Sequence, residues 1–211
     1  MAVQGDAYPA RLDVDYPEEL DRTTTLLRII WIIPIVIIAG LIGGGGGFLD
    51  TSTDVVQTSG GGVAAGLTLA TALMILFRQR YPRWWFDFAR EVTRFSARVT
   101  AYMALLTDKY PSTVEEQSVH IEIDYPDVEQ DLNRWLPLVK WLLAIPHYIV
   151  LIVLGVLAIF AVIIAWFAIL FTGRYPQGLF TFVVGVGRWG LRVQAYAFLL
   201  VTDRYPPFSL E

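Results

Sequence analysis

Four arginines have the residue type and spacing that most clearly suggest binding chemistry. Arg94 and Arg98 lie four residues apart, and so do Arg188 and Arg192. Residues four apart lie on one face of a helix. At a cytoplasmic membrane surface, such side chains bind anionic lipid headgroups at about 1 kcal/mol each. They could equally form ion pairs with acidic residues of the chain itself, and the sequence leaves both interpretations open.

Two short segments carry a second group of chemically capable side chains. In residues 12–16 and 121–125, apolar and acidic residues alternate, which is typical of a strand with one buried face. The four carboxylates are Asp13, Asp15, Glu122 and Asp124. They could bind a divalent cation, but bases are abundant and no third ligand type is present. Ion pairing with Lys and Arg is therefore favoured, and no metal site is predicted.

Catalytic chemistry finds little support in the sequence. The chain has no cysteine and two histidines, and it lacks a phosphate-binding loop, a nucleophile elbow and metal-ligand spacing. No catalytic residue and no cofactor is therefore predicted. Pro34 and Pro146 lie inside apolar segments and are expected to kink helices. His147 is expected to be neutral and bonded to a carbonyl freed by the kink, since no acidic partner is nearby and the residue after Pro34 is Ile35.

An internal repeat supplies the elements that would position these residues. Three markers recur in the same order along the chain. They are residues 12–17 and 121–126, 76–82 and 170–176, and 106–111 and 200–206. The sequence therefore predicts two copies of one unit, at 8–111 and 120–206, each with a strand, a pair of membrane-spanning helices and an amphipathic helix.

The composition indicates a membrane protein. Hydrophobic residues make up 55% of the chain, charged residues 17%, and the mean hydropathy is +0.51, which is too apolar for an ordinary soluble domain. Uncharged runs cover 29–49, 55–77 and 141–173. The third run is too long for one span and, with 135–140 included, predicts a tight hairpin turning near Gly155. The predicted fold is mainly α, with a four-helix transmembrane bundle and a two-stranded cytoplasmic ribbon.

Two further apolar stretches, 84–106 and 178–201, carry the four arginines on a polar stripe. Arginine in the middle of a bilayer costs at least about 2.5–3.5 kcal/mol on insertion scales. We therefore expect amphipathic helices in the plane of the membrane interface rather than spans. For 178–201, whose polar stripe is weak, burial within the helix bundle is the alternative.

The dipeptide Tyr-Pro occurs seven times and ends many of these segments. Proline disfavours the α conformation in the residue before it, and tyrosine prefers the headgroup layer. The predicted interfacial anchors are Tyr81, Tyr110, Tyr175 and Tyr205.

The distribution of charge predicts the orientation. The Gly-rich stretch 43–62 contains Asp50 and Asp54 but no Lys or Arg, so it is expected to be an external loop. Both termini are expected in the cytoplasm, and no cleaved signal peptide is evident. With an even number of crossings in each unit, the repeat is expected to be parallel, with a pseudo-two-fold axis along the membrane normal.

Residues 135–147, 166–176 and 202–209 resemble a bacterial membrane family, common in actinobacteria, that is described as domain of unknown function 4389. The resemblance covers both halves, and the first half departs from it through its Gly-rich insertion. It implies a multi-pass protein of the bacterial plasma membrane. The family has no assigned activity, so the resemblance implies no residue roles.

The expected function is therefore that of a non-enzymatic accessory or scaffold subunit. Its expected partners are anionic lipids and other membrane proteins or further copies of itself, and no nucleic acid is expected. The alternative is a homo-oligomeric transporter or channel for lipids or small solutes. The absence of a polar stripe along the predicted spans lowers that alternative.

Overall fold

The structure is a computed structural model that describes residues 8–35, 37, 63–112, 115 and 117–211. The expected external loop at 43–62 and residues 38–49 of the first expected span lie outside the described residues. The elements are β1 (Ala10–Val14), α1 (Arg22–Trp31), α2 (Val63–Arg78), α3 (Arg83–Met103), β2 (Val119–Ile123), α4 (Val128–Asp131), α5 (Pro137–Leu143), α6 (Ile145–Thr172) and α7 (Gln177–Ala197). The fold is mainly helical with one small sheet, as predicted.

The two predicted strands pair with each other. β1 and β2 are antiparallel, with Leu12 opposite Ile121 at the centre of the register. Their inward side chains are buried, except that Leu12 is half-buried. On the outer face, Arg11 contacts Glu122 at 3.2 Å and Asp124 at 3.1 Å. An isolated two-stranded ribbon is marginal in water, so the sheet depends on the helices beneath it.

α7 lies between the sheet and α6. On one side, Phe180 packs edge-on against Tyr16, with 5.0 Å between ring centroids. On the other, Trp189 bonds to His147 of α6. Successive helical residues turn by about 100°, which places Phe180 and Trp189 on opposite faces. The order of layers is therefore sheet, α7, α6.

α3 occupies the equivalent position beneath β2. Phe86 packs against Tyr125, with 5.1 Å between centroids, and the Arg94 guanidinium reaches the backbone of Ile121. The two copies thus place their amphipathic helices side by side under the shared sheet.

The amphipathic helices end in the same unusual way. Leu105 after α3 and Leu200 after α7 have φ values of 63° and 58°, in the left-handed region that non-glycine residues seldom adopt. In the first copy the closing bond runs from the Leu106 amide to the Ala101 carbonyl, five residues back. In the second it runs from Val201 to Ala195, six residues back. The residue inserted in the second copy therefore widens the final turn.

α6 differs from the prediction. It is one continuous helix of 28 residues, so the expected hairpin with a turn near Gly155 is wrong. One glycine lowers helix stability by only about 1 kcal/mol. A turn within an unbroken apolar run would also have exposed backbone groups without any polar residue to cap them. At about 1.5 Å per residue, α6 is about 42 Å long.

The expected proline kinks lie at the start of helical segments. The chain bends at Ala144, and Pro146 then lies in the first turn of α6, where proline is tolerated. In the first copy the bend falls at Ile32, just before Pro34.

Among the described residues, α6 is the one helix long and apolar enough to cross a membrane, with a mean hydropathy of 3.2. The residues Ala65–Arg78 form a shorter apolar helix. The four-helix transmembrane bundle is therefore not confirmed, and α6 supports membrane association only.

Candidate functional site

A buried cation occurs at the same place in each copy. Arg28 is 3% exposed. Its guanidinium forms an ion pair with Asp108, donates to the Tyr102 carbonyl at 2.7 Å and lies 4.3 Å above the centroid of the Tyr102 ring. Burial lowers the pKa of Arg28, and the Asp108 charge opposes that shift.

Lys140 repeats this arrangement in the second copy. It is fully buried. Its ammonium lies 2.6 Å from Asp203, donates to the Thr202 carbonyl at 2.9 Å and lies 5.2 Å from the centroid of the Tyr196 ring. Each copy thus contains a cation, a carboxylate and a tyrosine ring in mutual contact.

The second carboxylate oxygen of each pair is also used. Asp108 accepts the Asp21 amide at 2.7 Å, and Asp203 accepts the amide of Asn133. Asp21 caps α1 by accepting the amides of Thr23 and Thr24. The buried pairs therefore fasten the start of each apolar segment to the end of the amphipathic helix.

Sequence reasoning missed these pairs, although a signal for them existed. Arg28 and Lys140 each precede the paired prolines by six residues, and Asp108 and Asp203 belong to a repeated marker. Matching charges at matching positions of a repeat could have revealed them. The pairs are structural, because both charges are satisfied within the protein.

Two of the four predicted headgroup-binding arginines hold the sheet. Arg94 donates from Nε to the Ile121 carbonyl at 3.1 Å, and Arg188 donates from Nε to the Leu12 carbonyl at 2.9 Å. Each guanidinium therefore reaches from one copy into the strand of the other. Arg188 also contacts Asp13 at 2.8 Å.

The other two arginines hold chain segments that follow the amphipathic helices. Arg98 donates to the Ser112 carbonyl at 2.6 Å. Arg192 is 6% exposed and donates to the carbonyls of Ser209, at 3.1 Å, and Glu211. Headgroup binding by the four arginines stays a prediction, and the geometry gives each of them a partner within the chain.

The four predicted tyrosine anchors divide into two kinds. Tyr81 and Tyr175 are buried, whereas Tyr110 and Tyr205 are each 46% exposed. Burial raises the pKa of Tyr81 to about 12. The Tyr16 hydroxyl donates to the Tyr175 carbonyl, and the Tyr125 hydroxyl donates to the Tyr81 carbonyl. Each of these hydrogen bonds joins one copy to the other. Anchoring by the exposed pair stays a prediction.

His147 is fully buried in the first turn of α6, where that turn packs against α7. The Trp189 indole donates to its Nδ1 at 3.0 Å, and the Phe208 ring stacks on it with 4.0 Å between centroids. The sequence predicted that His147 bonds to a backbone carbonyl freed by Pro146, but its partner is the indole of Trp189. Pro146 lies in the first turn of α6 rather than inside a helix, so it produces no kink there. His147 therefore closes an aromatic cluster.

No metal site appears in the part of the chain that the structure describes, since no group of three or more potential ligands occurs there. The carboxylates of the sheet lie beside bases or histidine. Asp15 contacts His120 at 3.1 Å, and Glu122 contacts Arg11 at 3.2 Å.

Among the described residues, a large exposed surface is apolar. α6 contains no charged residue, and large side chains are exposed along its whole length. They are Ile149, Ile152, Val153, Val156, Leu157, Ile159, Phe160, Ile163, Ile164, Phe167 and Phe171. At about 100° per residue they form one continuous stripe, on the side opposite α7. Large apolar side chains are also exposed on α1, which packs against α6, and on α2 and α5, which pack against each other. We call these four helices, α1, α2, α5 and α6, the apolar layer.

A cavity of about 810 Å³ opens beside this layer, between α2, α3, α5, α6 and α7. Its walls are mostly apolar, with Leu69, Trp141 and Phe198 among the residues at its edge. Polar atoms come from threonines, Gln194 and Tyr148. Such a volume lies in the range of small-molecule sites.

Comparison with known proteins gives one family. A family model described as "Domain of unknown function (DUF4389)" matches residues 55–115 and 135–209, which is more than half of the chain. No curated protein and no solved structure matches the chain.

Proposed function

The chain belongs to the family described as Domain of unknown function (DUF4389), with its domain in two tandem copies, and we propose that it is a non-enzymatic membrane protein. It acts as an accessory or scaffold subunit that binds lipids and partner membrane proteins in the bacterial plasma membrane. Both termini lie on the cytoplasmic side.

One observation carries this proposal, namely the apolar layer. An exposed apolar patch much larger than a few hundred Å² marks a membrane or protein interaction site, and the stripe on α6 alone extends along about 42 Å of helix. Exposed Trp31 and Trp141 lie at the ends of α1 and α5, as is typical of side chains at a membrane interface.

The polar residues support a structural role rather than a catalytic one. The buried cations have carboxylates within the protein, and the four repeated arginines bind backbone carbonyls. Little of this polar chemistry remains for turnover of a substrate. Anionic headgroups would meet the remaining bases at the rim, such as Arg83 and Arg174.

A lipid or small-solute transporter is the second candidate. The cavity of about 810 Å³ favours it, because apolar walls with a few polar groups suit an amphiphile. This function ranks second because α6 presents no polar stripe along which a solute could cross.

Purification from native membranes in mild detergent tests the proposal. Co-purifying proteins and lipids are identified by mass spectrometry, and the mass of the intact complex is measured. A stoichiometric partner protein together with bound lipid is expected. A monomer free of both would contradict the proposal, and a partner-free homo-oligomer would favour the transporter. Membranes from a strain lacking the protein serve as the control.

A further inference from the structure

The protein lies flat in one leaflet of the membrane: we infer that the apolar layer enters the hydrocarbon from one side and that α6 runs parallel to the bilayer plane. This inference rests on the proposed membrane function and revises the expected spanning topology. It follows from how the charged sheet is placed relative to α6.

The sheet runs alongside the helices rather than beyond their ends. Leu12, at the centre of β1, approaches Gly187 near the middle of α7. Tyr16 reaches Phe180, and Tyr8 donates to the Arg192 carbonyl at 3.3 Å. β1 therefore follows α7 over most of its length.

α6 and α7 lie side by side in turn. Four residues connect them, and at the far end Trp189 bonds to His147 while Phe198 packs near Tyr148, with ring centroids 6.2 Å apart. The two helices are antiparallel neighbours. If α6 crossed the membrane, α7 and β1 would lie at the same depth as its middle.

The outer face of the sheet cannot lie at that depth. The side chains of Asp13 and Glu122 are 71% and 70% exposed, and those of Asp15 and Asp124 are 64% and 55% exposed. Charged side chains inside a bilayer face a protein interior or water, not lipid. An upright α6 would place these four carboxylates against hydrocarbon.

Rotating the molecule so that the layers stack along the membrane normal removes this conflict. The sheet then lies in water, α3 and α7 lie at the interface, and the stripe on α6 lies in the hydrocarbon. The antiparallel register centred on Leu12 and Ile121 has its local two-fold axis normal to the sheet. That axis coincides with the membrane normal, so α3 and α7 lie at equal depth. The occupant of the apolar layer is thus lipid acyl chain.

Side-specific thiol labelling tests this orientation. The chain has no cysteine, so single substitutions report alone. Asp131→Cys precedes the first end of α6, and Gln177→Cys follows its second end; both positions are exposed. Asp15→Cys marks the sheet. Sealed vesicles of known orientation are treated with a membrane-impermeant maleimide from either side.

All three positions are expected to react from the same side. Reaction of Asp131→Cys and Gln177→Cys from opposite sides would establish a spanning α6 and overturn the inference. The inference would also be overturned if neither cysteine reacted with maleimide from either side, because the flat arrangement leaves both positions in water. Labelling in detergent confirms that each cysteine can react, and an unchanged melting temperature confirms that each variant is folded.

Three outcomes separate this inference from the proposed function. If the protein does not sediment with membranes, the proposed function fails. A water-soluble dimer free of lipid would show that a second copy covers the apolar layer, which overturns the inference as well. Opposite-side labelling in a protein that retains its partners overturns the inference alone.

Discussion

Replacement of Asp203 by asparagine should destabilise the protein strongly. Lys140 is fully buried, and Asp203 is the single carboxylate at its ammonium among the described residues. Without that charge, the ammonium retains the Thr202 carbonyl and the Tyr196 ring. Breaking one side of a buried ion pair costs about 3–5 kcal/mol. At about 2–4 °C per kcal/mol for a chain of this size, we expect Tm to fall by about 6–20 °C.

The exposed pair of Arg11 and Asp124 provides a matched control. Their side chains are 42% and 55% exposed, and exposed pairs contribute about 0–1 kcal/mol. Asp124→Asn should therefore lower Tm by less than about 4 °C. Circular dichroism during heating in mild detergent measures both variants. Equal shifts for Asp203→Asn and Asp124→Asn would refute the reasoning.

Two further comparisons of melting temperature use matched glycines. A Cβ at Gly185 would lie 2.8 Å from the Leu210 carbonyl oxygen, whereas a Cβ at Gly190 meets nothing within 4 Å. Gly185→Ala should therefore lower Tm and expose the C-terminal segment to protease. Gly190→Ala should leave Tm unchanged or raise it. Gln79 has a φ of 46° where the second copy has Gly173 at 73°, and left-handed backbone costs a non-glycine residue about 1–2 kcal/mol. Gln79→Gly should raise Tm and Gly173→Ala should lower it, and the same sign for both would contradict this explanation.

The repeat made much of the fold predictable. Its alternating segments at 12–16 and 121–125 predicted two strands, and these pair centrally at Leu12 and Ile121. The polar stripes of 84–106 and 178–201 predicted amphipathic helices, which are present as α3 and α7. Local periodicity was sufficient for the strands and for α3 because one face of each is buried and the other is polar, whereas α7 is packed on both faces, against the sheet and against α6.

Hydropathy could not distinguish one long helix from a hairpin. The run from Ile145 to Thr172 is apolar on every side, so it has no periodicity that would show which face packs and which is exposed. Length alone suggested a turn at Gly155. The outcome depends on α7, which packs along one face of α6 and supports it as a single helix.

The candidate site was predictable only in part. The four repeated arginines were identified, but their backbone partners lie in the other copy or in chain segments after the helices, as with Arg188 and Leu12. The buried pair of Lys140 and Asp203 joins residues far apart in sequence, so the spacing within one element does not predict it, and its one signal was the recurrence of matching charges in the two copies. The partners of Arg94 and Arg188 could be predicted only by knowing that the copies interlock.

The depth of nitroxide labels along α6 tests the central claim most directly. Ile149, Val156, Phe160 and Phe167 are exposed on one side of the helix, and the first and last lie about 27 Å apart along its axis. Single cysteine variants carrying a nitroxide are reconstituted in lipid vesicles, and accessibility to oxygen and to a water-soluble relaxant gives each depth. A flat α6 predicts four nearly equal depths within one leaflet. Depths that pass through a maximum near Val156 and Phe160, with both ends shallow, would show that α6 spans the bilayer and would contradict the account.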